Sequence, residues 1–136
     1  MNDKYQTPKD FYAKLDRLFN FDKFDPCPID WKQGDPSGLE MDWADRTFVN
    51  PPYSHGKTRL WVNKAIREAN KGKLVVMLLR CDTSTQAFHR LIKPNATKIV
   101  FVEGRILFNG KPANFASMVV VFGDYGKLEE IKGRGD

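Results

Sequence analysis

Leu74-Val75-Val76-Met77-Leu78-Leu79 decides the fold. Six apolar residues in unbroken succession have the length of a strand, and with no polar alternate neither face of that strand is made for water. Such a strand belongs inside a sheet with helices on both sides, and the flanking sequence supplies them. Upstream, Leu60, Trp61, Ala65, Ile66 and Ala69 recur at three-to-four spacing, which predicts an amphipathic helix over 59–71 that ends near Gly72. Downstream, Thr83 or Ser84 is placed to cap a helix running through Leu91 and Ile92 and stopping before Pro94.

Further out, Pro8 followed by Phe11, Leu15, Leu18 and Phe19 predicts a helix over 8–19. Short strands are expected at Phe21 to Asp25, stopped by Pro26 and Pro28, and at Thr47 to Val49, stopped by Pro51 and Pro52. The intervening 29–45 region, rich in Asp, Gly, Pro and Trp, reads as loop. Ile99–Val102, Ile106–Phe108 and Met118–Phe122 complete the strands. Strand and helix alternate, so the expected class is α/β with a three-layer, mostly parallel sheet. The last strands follow one another without a helix and are expected to pair as an antiparallel hairpin at one edge.

A chain of 136 residues, 41% hydrophobic, builds one core, so residues 1–126 are expected to form one domain and 127–136 a charged tail. The net charge of +5 favours an anionic partner such as nucleic acid. Cys27 and Cys81 are too few and too far apart for a zinc cage or a disulfide framework, so free thiols and no metal are expected. Met1 to Lys9 is polar and no run reaches bilayer length, which points to a cytoplasmic protein and no membrane partner. Oligomeric state is not written in these features.

In an open α/β sheet, ligands gather beyond the carboxyl ends of strands. Two such ends here are unusual: Phe24-Asp25-Pro26-Cys27-Pro28 and Val49-Asn50-Pro51-Pro52-Tyr53. The second suits transfer to an amine whose lone pair is delocalised into an aromatic ring. Such an amine needs acceptors for both N–H groups as positive charge develops. The Asn50 side-chain carbonyl and the Pro51 backbone carbonyl are candidates, with Pro51 and Pro52 limiting the backbone. Tyr53 offers a flat face for an extruded base.

Asn50-Pro51-Pro52-Tyr53 after a buried strand resembles the catalytic motif of amino-methyltransferases. The chain as a whole is similar to the small phage-type DNA N6-adenine methyltransferases, Dam-like members of the class I S-adenosylmethionine-dependent enzymes. Matching elements occur in order: Tyr5-Gln6-Thr7-Pro8, Asp25-Pro26-Cys27, Gly38-Leu39, Trp43, the Asn50 motif, Gly104-Arg105-Ile106 and Phe108. The resemblance implies a trimmed Rossmann-like sheet, S-adenosyl-L-methionine as cofactor, DNA as partner and site-specific methylation of adenine N6, in a bacterial host if phage-borne. It places Tyr5, Thr7, Pro8, Asp25, Pro26 and Cys27 against the cofactor, and a strand-end carboxylate such as Asp25 suits an ammonium group. Asp42, before the catalytic strand, is a further candidate. The chain departs from most methyltransferases in having Cys27-Pro28, not Gly-x-Gly, after Asp25.

The polar run Ser54, His55, Gly56, Lys57, Thr58, Arg59 follows the motif, so Ser54, His55, Lys57 and Arg59 are candidate DNA contacts, as are Arg80 and Arg105 near strand ends. Two other readings share the motif: a methyltransferase acting on RNA or on a protein glutamine, and a nucleic-acid-binding module that keeps the fold without catalysis.

Overall fold

A computed structural model describes residues 5–54 and 56–123; His55 and the expected tail over 127–136 lie outside the described residues. The order of elements is α1 (Lys9–Phe19), β1 (Arg46–Val49), α2 (Lys57–Ala69), β2 (Leu74–Arg80), a π-turn over Phe88–Ile92 running into α3 (Lys93–Asn95), β3 (Lys98–Phe101), β4 (Leu107–Phe108), β5 (Lys111–Pro112) and β6 (Ser117–Phe122). Among the described residues, no helix is long and apolar enough to cross a membrane.

The deciding run is β2, and Leu74 to Leu79 are all buried. Its alternate residues face opposite ways. Leu74, Val76 and Leu78 join Leu15 and Phe19 of α1 in one core, while Val75, Met77 and Leu79 join Trp61, Val62 and Ala65 of α2 in the other. The sheet is therefore covered on both faces.

Its strand order, β1-β2-β6-β3, corrects two expectations. Only β1–β2 is parallel; β2–β6 and β6–β3 are antiparallel, so the pairing is not mostly parallel. The expected antiparallel pair at one edge is present as β6–β3, but it is not a hairpin, because β4 and β5 stand between the two strands in the chain. Asn109 and Gly110, both at positive φ (55° and 78°), make the tight turn of a separate two-stranded hairpin, β4–β5. That frees β6 to enter the sheet, and its unbroken apolar run, buried on both faces, is satisfied only in the interior. β3, with Lys98, Val100 and Phe101 exposed, takes the edge.

Three local readings also change. Phe21 to Asp25 forms no strand; one backbone bond, Asp22 N–H to the Arg46 carbonyl (2.8 Å), ties it to β1. The helix after β2 is capped by Thr85, whose hydroxyl accepts from Phe88 N–H (3.1 Å), while Ser84 bonds to Asp82. It also continues past Pro94. Pro94 has no N–H to donate, and the π-turn, closed by Lys93 N–H on the Phe88 carbonyl, places it in the first turn of a new segment where the missing donor costs least.

Glu68 is a carboxylate with no exposed surface. Its Oε1 accepts from Trp43 N–H (2.8 Å) and the Lys73 ammonium (2.6 Å), and its Oε2 from Lys71 (2.6 Å) and Lys64 (3.2 Å). Burial alone would raise its pKa, but the hydrogen bonds from Lys71, Lys73, Trp43 and Lys64 outweigh it and hold the carboxyl well below the usual range. Because the folded state lowers this pKa, its stabilisation is complete above the ordinary glutamate value of about 4.3 and is lost as the pH falls below it. Glu68→Gln is expected to lower the unfolding free energy near neutral pH by about 3–5 kcal/mol and to flatten the acid limb of stability against pH, measured by urea denaturation from neutral to acidic buffer.

Candidate active site

A cleft of about 1130 Å³ opens where the Asn50 turn, the Asp25 turn and the segment before α1 meet. Among its described lining residues are Lys9, Lys23 and Lys57, with Asp25 the single carboxylate, so the described walls carry more positive than negative charge.

Asn50 stands directly after β1, its backbone direction set by the register of Phe48 and Val49 against Val76 and Met77. Every polar atom of its side chain is engaged. Nδ2 donates to the Tyr5 carbonyl and to Thr7 Oγ1 (3.0 Å), and Oδ1 accepts from the Tyr53 phenol (2.5 Å). The phenol also lies 3.1 Å from the Leu78 carbonyl of β2. Burial, then the neighbouring Tyr5 and Cys27, push the Tyr53 pKa well above its ordinary value, so it stays a donor. Pro51 is buried, and the Pro52 carbonyl accepts from Thr58 Oγ1 (2.9 Å), which fastens the motif to the first turn of α2.

The sequence placed the base-stacking face on Tyr53. The structure lays the Tyr5 ring over it instead, with centroids 5.4 Å apart and planes 24° apart, and Phe115 meets Tyr53 edge-on at 5.5 Å. Tyr5, not Tyr53, lines the cleft beside Asn50.

On the opposite wall, the Asp25 carboxylate accepts from Cys27 N–H (2.9 Å), closing a short turn where Gly-x-Gly was missing. Desolvation by the surrounding wall raises the Asp25 pKa; the Cys27 N–H opposes this and Asp30 adds to it. Burial and then Asp25 push the Cys27 thiol up to about 12, which keeps it neutral and unreactive. The turn is backed by Gly38. A Cβ there would fall 1.9 Å from the Pro26 carbonyl oxygen, so only glycine fits. The Gly38 carbonyl in turn accepts from Trp43 Nε1–H (2.7 Å).

The cleft thus gathers Tyr5, Thr7, Asp25, Pro26, Cys27 and Asn50; Pro8 caps α1 and is not among the lining residues. It does not gather Asp42, whose exposed carboxylate pairs with Lys71 (3.1 Å). Lys57 lines the cleft mouth, Ser54 carries the bond from Lys57 N–H (3.1 Å), and Arg59 is exposed in the same helical turn. Arg80 lies over the Phe115 ring (5.2 Å), and Arg105 is exposed beyond β3. Trp31, Leu60, Lys9 and Lys23 also line the cleft and had no sequence signal beyond ordinary loop or helix composition. No group of three His, Cys, Asp or Glu suited to a metal ion occurs among the described residues.

The family model for the DNA N-6-adenine-methyltransferases (Dam) matches residues 1–125. The chain belongs to that family. Its general activity is methylation of adenine N6 in DNA, and the match covers both cleft walls and all strands. No curated protein and no solved structure matches the chain.

Gly38→Ala is expected to cost about 1–3 kcal/mol, as overpacking does, and to displace the Asp25–Cys27 turn. Urea denaturation reads the first effect; changed backbone amide shifts confined to residues 24–43 read the second.

Proposed function

We propose that the chain transfers a methyl group from S-adenosyl-L-methionine to the exocyclic N6 amine of an adenine extruded from DNA, within one domain over residues 1–126. The observation that carries this reading is the fixed Asn50 amide, whose carbonyl is buttressed by Tyr53 in the same cleft as the Asp25 carboxylate. Three of the four sheet strands, β1, β2 and β3, run the same way with β6 reversed between β2 and β3, which supports a trimmed Rossmann-like layout. An enzyme of DNA in a bacterial cell or its phage acts in the cytoplasm.

The cofactor fits the residues present. Asp25, facing the cleft and bonded to one N–H, gains a partner in the ammonium of the methionine part, and Pro26 and Cys27 complete that end. When bound it supplies an electrophilic methyl group. The chain's own residues do the rest. Asn50 Oδ1 keeps a second lone pair beside the one used by Tyr53, and it accepts an N6 hydrogen of the base. The Pro51 carbonyl accepts the other. Both acceptors stabilise the charge that would develop on N6 as its bond to the methyl carbon forms and that carbon's bond to sulfur breaks, S-adenosylhomocysteine being the leaving group and N6 then giving up one proton to water. Tyr53 supports this arrangement from behind, through its hydroxyl on Asn50 and its ring under Tyr5. Lys57 and Arg59, with Ser54, take phosphate contacts at the mouth, and Arg80 and Arg105 extend them; His55 is proposed as a contact from its place in the sequence alone.

Asn50→Ala is expected to keep the fold and cofactor binding while lowering the single-turnover rate by about 10²–10³, measured with labelled cofactor and nucleoside mass spectrometry. A near-normal yield of N6-methyladenine would sink the reading.

Asp25→Ala is expected to weaken binding of S-adenosylhomocysteine in calorimetry. Because the wall raises the Asp25 pKa, wild-type affinity is expected to fall on acidification at pH values above the ordinary aspartate range of about 3.9, and the variant to lack that dependence. A pH-independent wild type would remove the ammonium pairing.

A further inference from the structure

We propose that the Tyr5–Thr7 segment is a positioning element for Asn50: the Tyr5 carbonyl decides which way the amide faces, and the Thr7 hydroxyl holds it there. The inference rests on the methyl-transfer reading and deepens it, since the family resemblance assigns these residues to the cofactor alone.

An asparagine amide has nearly the same shape when turned by half a rotation, but its donor and acceptor ends exchange. Turned one way, Asn50 offers the adenine amine an acceptor; turned the other, it opposes N–H with N–H. The prolines on its C-terminal side fix the backbone and leave this rotation free. What removes the freedom comes from the far end of the chain. A backbone carbonyl accepts and cannot donate, so the bond from Asn50 Nδ2 to Tyr5 admits one orientation only. The reverse would face two oxygens toward each other.

Thr7 Oγ1 takes the second N–H at 3.0 Å, so both amide hydrogens are used and Oδ1 is left for the Tyr53 phenol and the base. The Tyr5 carbonyl is itself held in place. Its ring stacks on Tyr53 at 5.4 Å and meets Phe108 and Phe115 edge-on at 5.2 and 5.5 Å. Phe108 and Phe115 are buried, so the ring is seated against fixed walls. The segment thus ties the catalytic amide to the same stretch that opens the cofactor wall.

Thr7→Val keeps the shape and removes the acceptor; Thr7→Ser keeps the acceptor; Thr7→Ala stands beside them in case valine disturbs folding. Single-turnover methylation at saturating cofactor, calorimetry with S-adenosylhomocysteine, and the Asn50 side-chain ¹⁵N–H₂ signals of the free protein are measured for each, those signals being assigned by their loss in Asn50→Ala. Expected are a rate about 10-fold lower for valine and alanine, a near-normal rate for serine, unchanged cofactor affinity, and displaced, faster-exchanging Asn50 amide signals in valine and alanine only. Weaker cofactor binding with an unchanged saturated rate would overturn the proposal and make Thr7 a cofactor contact. Unchanged amide signals would overturn it as well. If the wild type made no N6-methyladenine, the methyl-transfer reading would fall, and the amide signals would still decide the positioning role.

Discussion

A carboxylate shut away from water is tolerable only where fixed donors replace its hydration, and Glu68 has four of them. Those donors come from α2, the turn before β2 and the loop before β1. The carboxylate therefore joins the three pieces of chain that must agree for the sheet to start correctly. From it a line of contacts runs to the cleft. Glu68 holds the Trp43 backbone; the Trp43 indole, stacked on Trp61 at 6.2 Å, holds the Gly38 carbonyl; Gly38 lies against Pro26, next to Asp25. A long irregular loop is thereby given one path, and the carboxylate in the cleft one position.

β1 does for the opposite wall what this line does for the loop. It is four residues long, yet both chemical ends of the cleft depend on it. Its last residue delivers Asn50. Its first, Arg46, donates from Nε to the Phe19 carbonyl (2.7 Å) at the end of α1, and its N–H to Asp22 Oδ2 (2.9 Å), fastening the stretch that leads to Asp25. A cation at a helix C-terminus is favourable in its own right, which makes this a stable joint between α1 and the sheet. Two walls anchored to one short strand keep their separation because the strand, paired with β2, whose Leu74 to Leu79 are all buried, has little freedom to move.

What the sequence made legible follows from range. The burial of β2, the stripe of α2 and the opening proline of α1 are encoded by neighbours a few residues apart, and these elements stand where periodicity put them. The place of β6 is not local information: an apolar run states that both faces are covered, not which strands flank it. One local signal, Asn109-Gly110, does announce the β4–β5 hairpin and with it the need for β6 to pair elsewhere. The cleft divides in the same way. Asn50 and Asp25 stand at turns marked by proline, whereas the bonds from Asn50 to Tyr5 and Thr7 span 45 and 43 residues and leave no periodic trace. Asp42 was assigned by nearness to the strand, and an ion pair with Lys71, 29 residues away, sends it elsewhere.

The engagement of Asn50 before any base arrives bears on how such a site lowers a barrier. An acceptor that must first rotate or shed water spends part of its stabilisation on reorganisation, whereas one already fixed applies its dipole as charge appears. Asn50 has three protein partners among the described residues, and its Oδ1 keeps one lone pair, the capacity that the proposed adenine contact requires. The aromatic seat around Tyr5 is then more than packing. By fixing a backbone carbonyl from the start of the chain, it turns a side chain with two nearly equal orientations into one with a single polarity. That explains why the segment before α1 lies inside the cleft and not along the outside of the sheet.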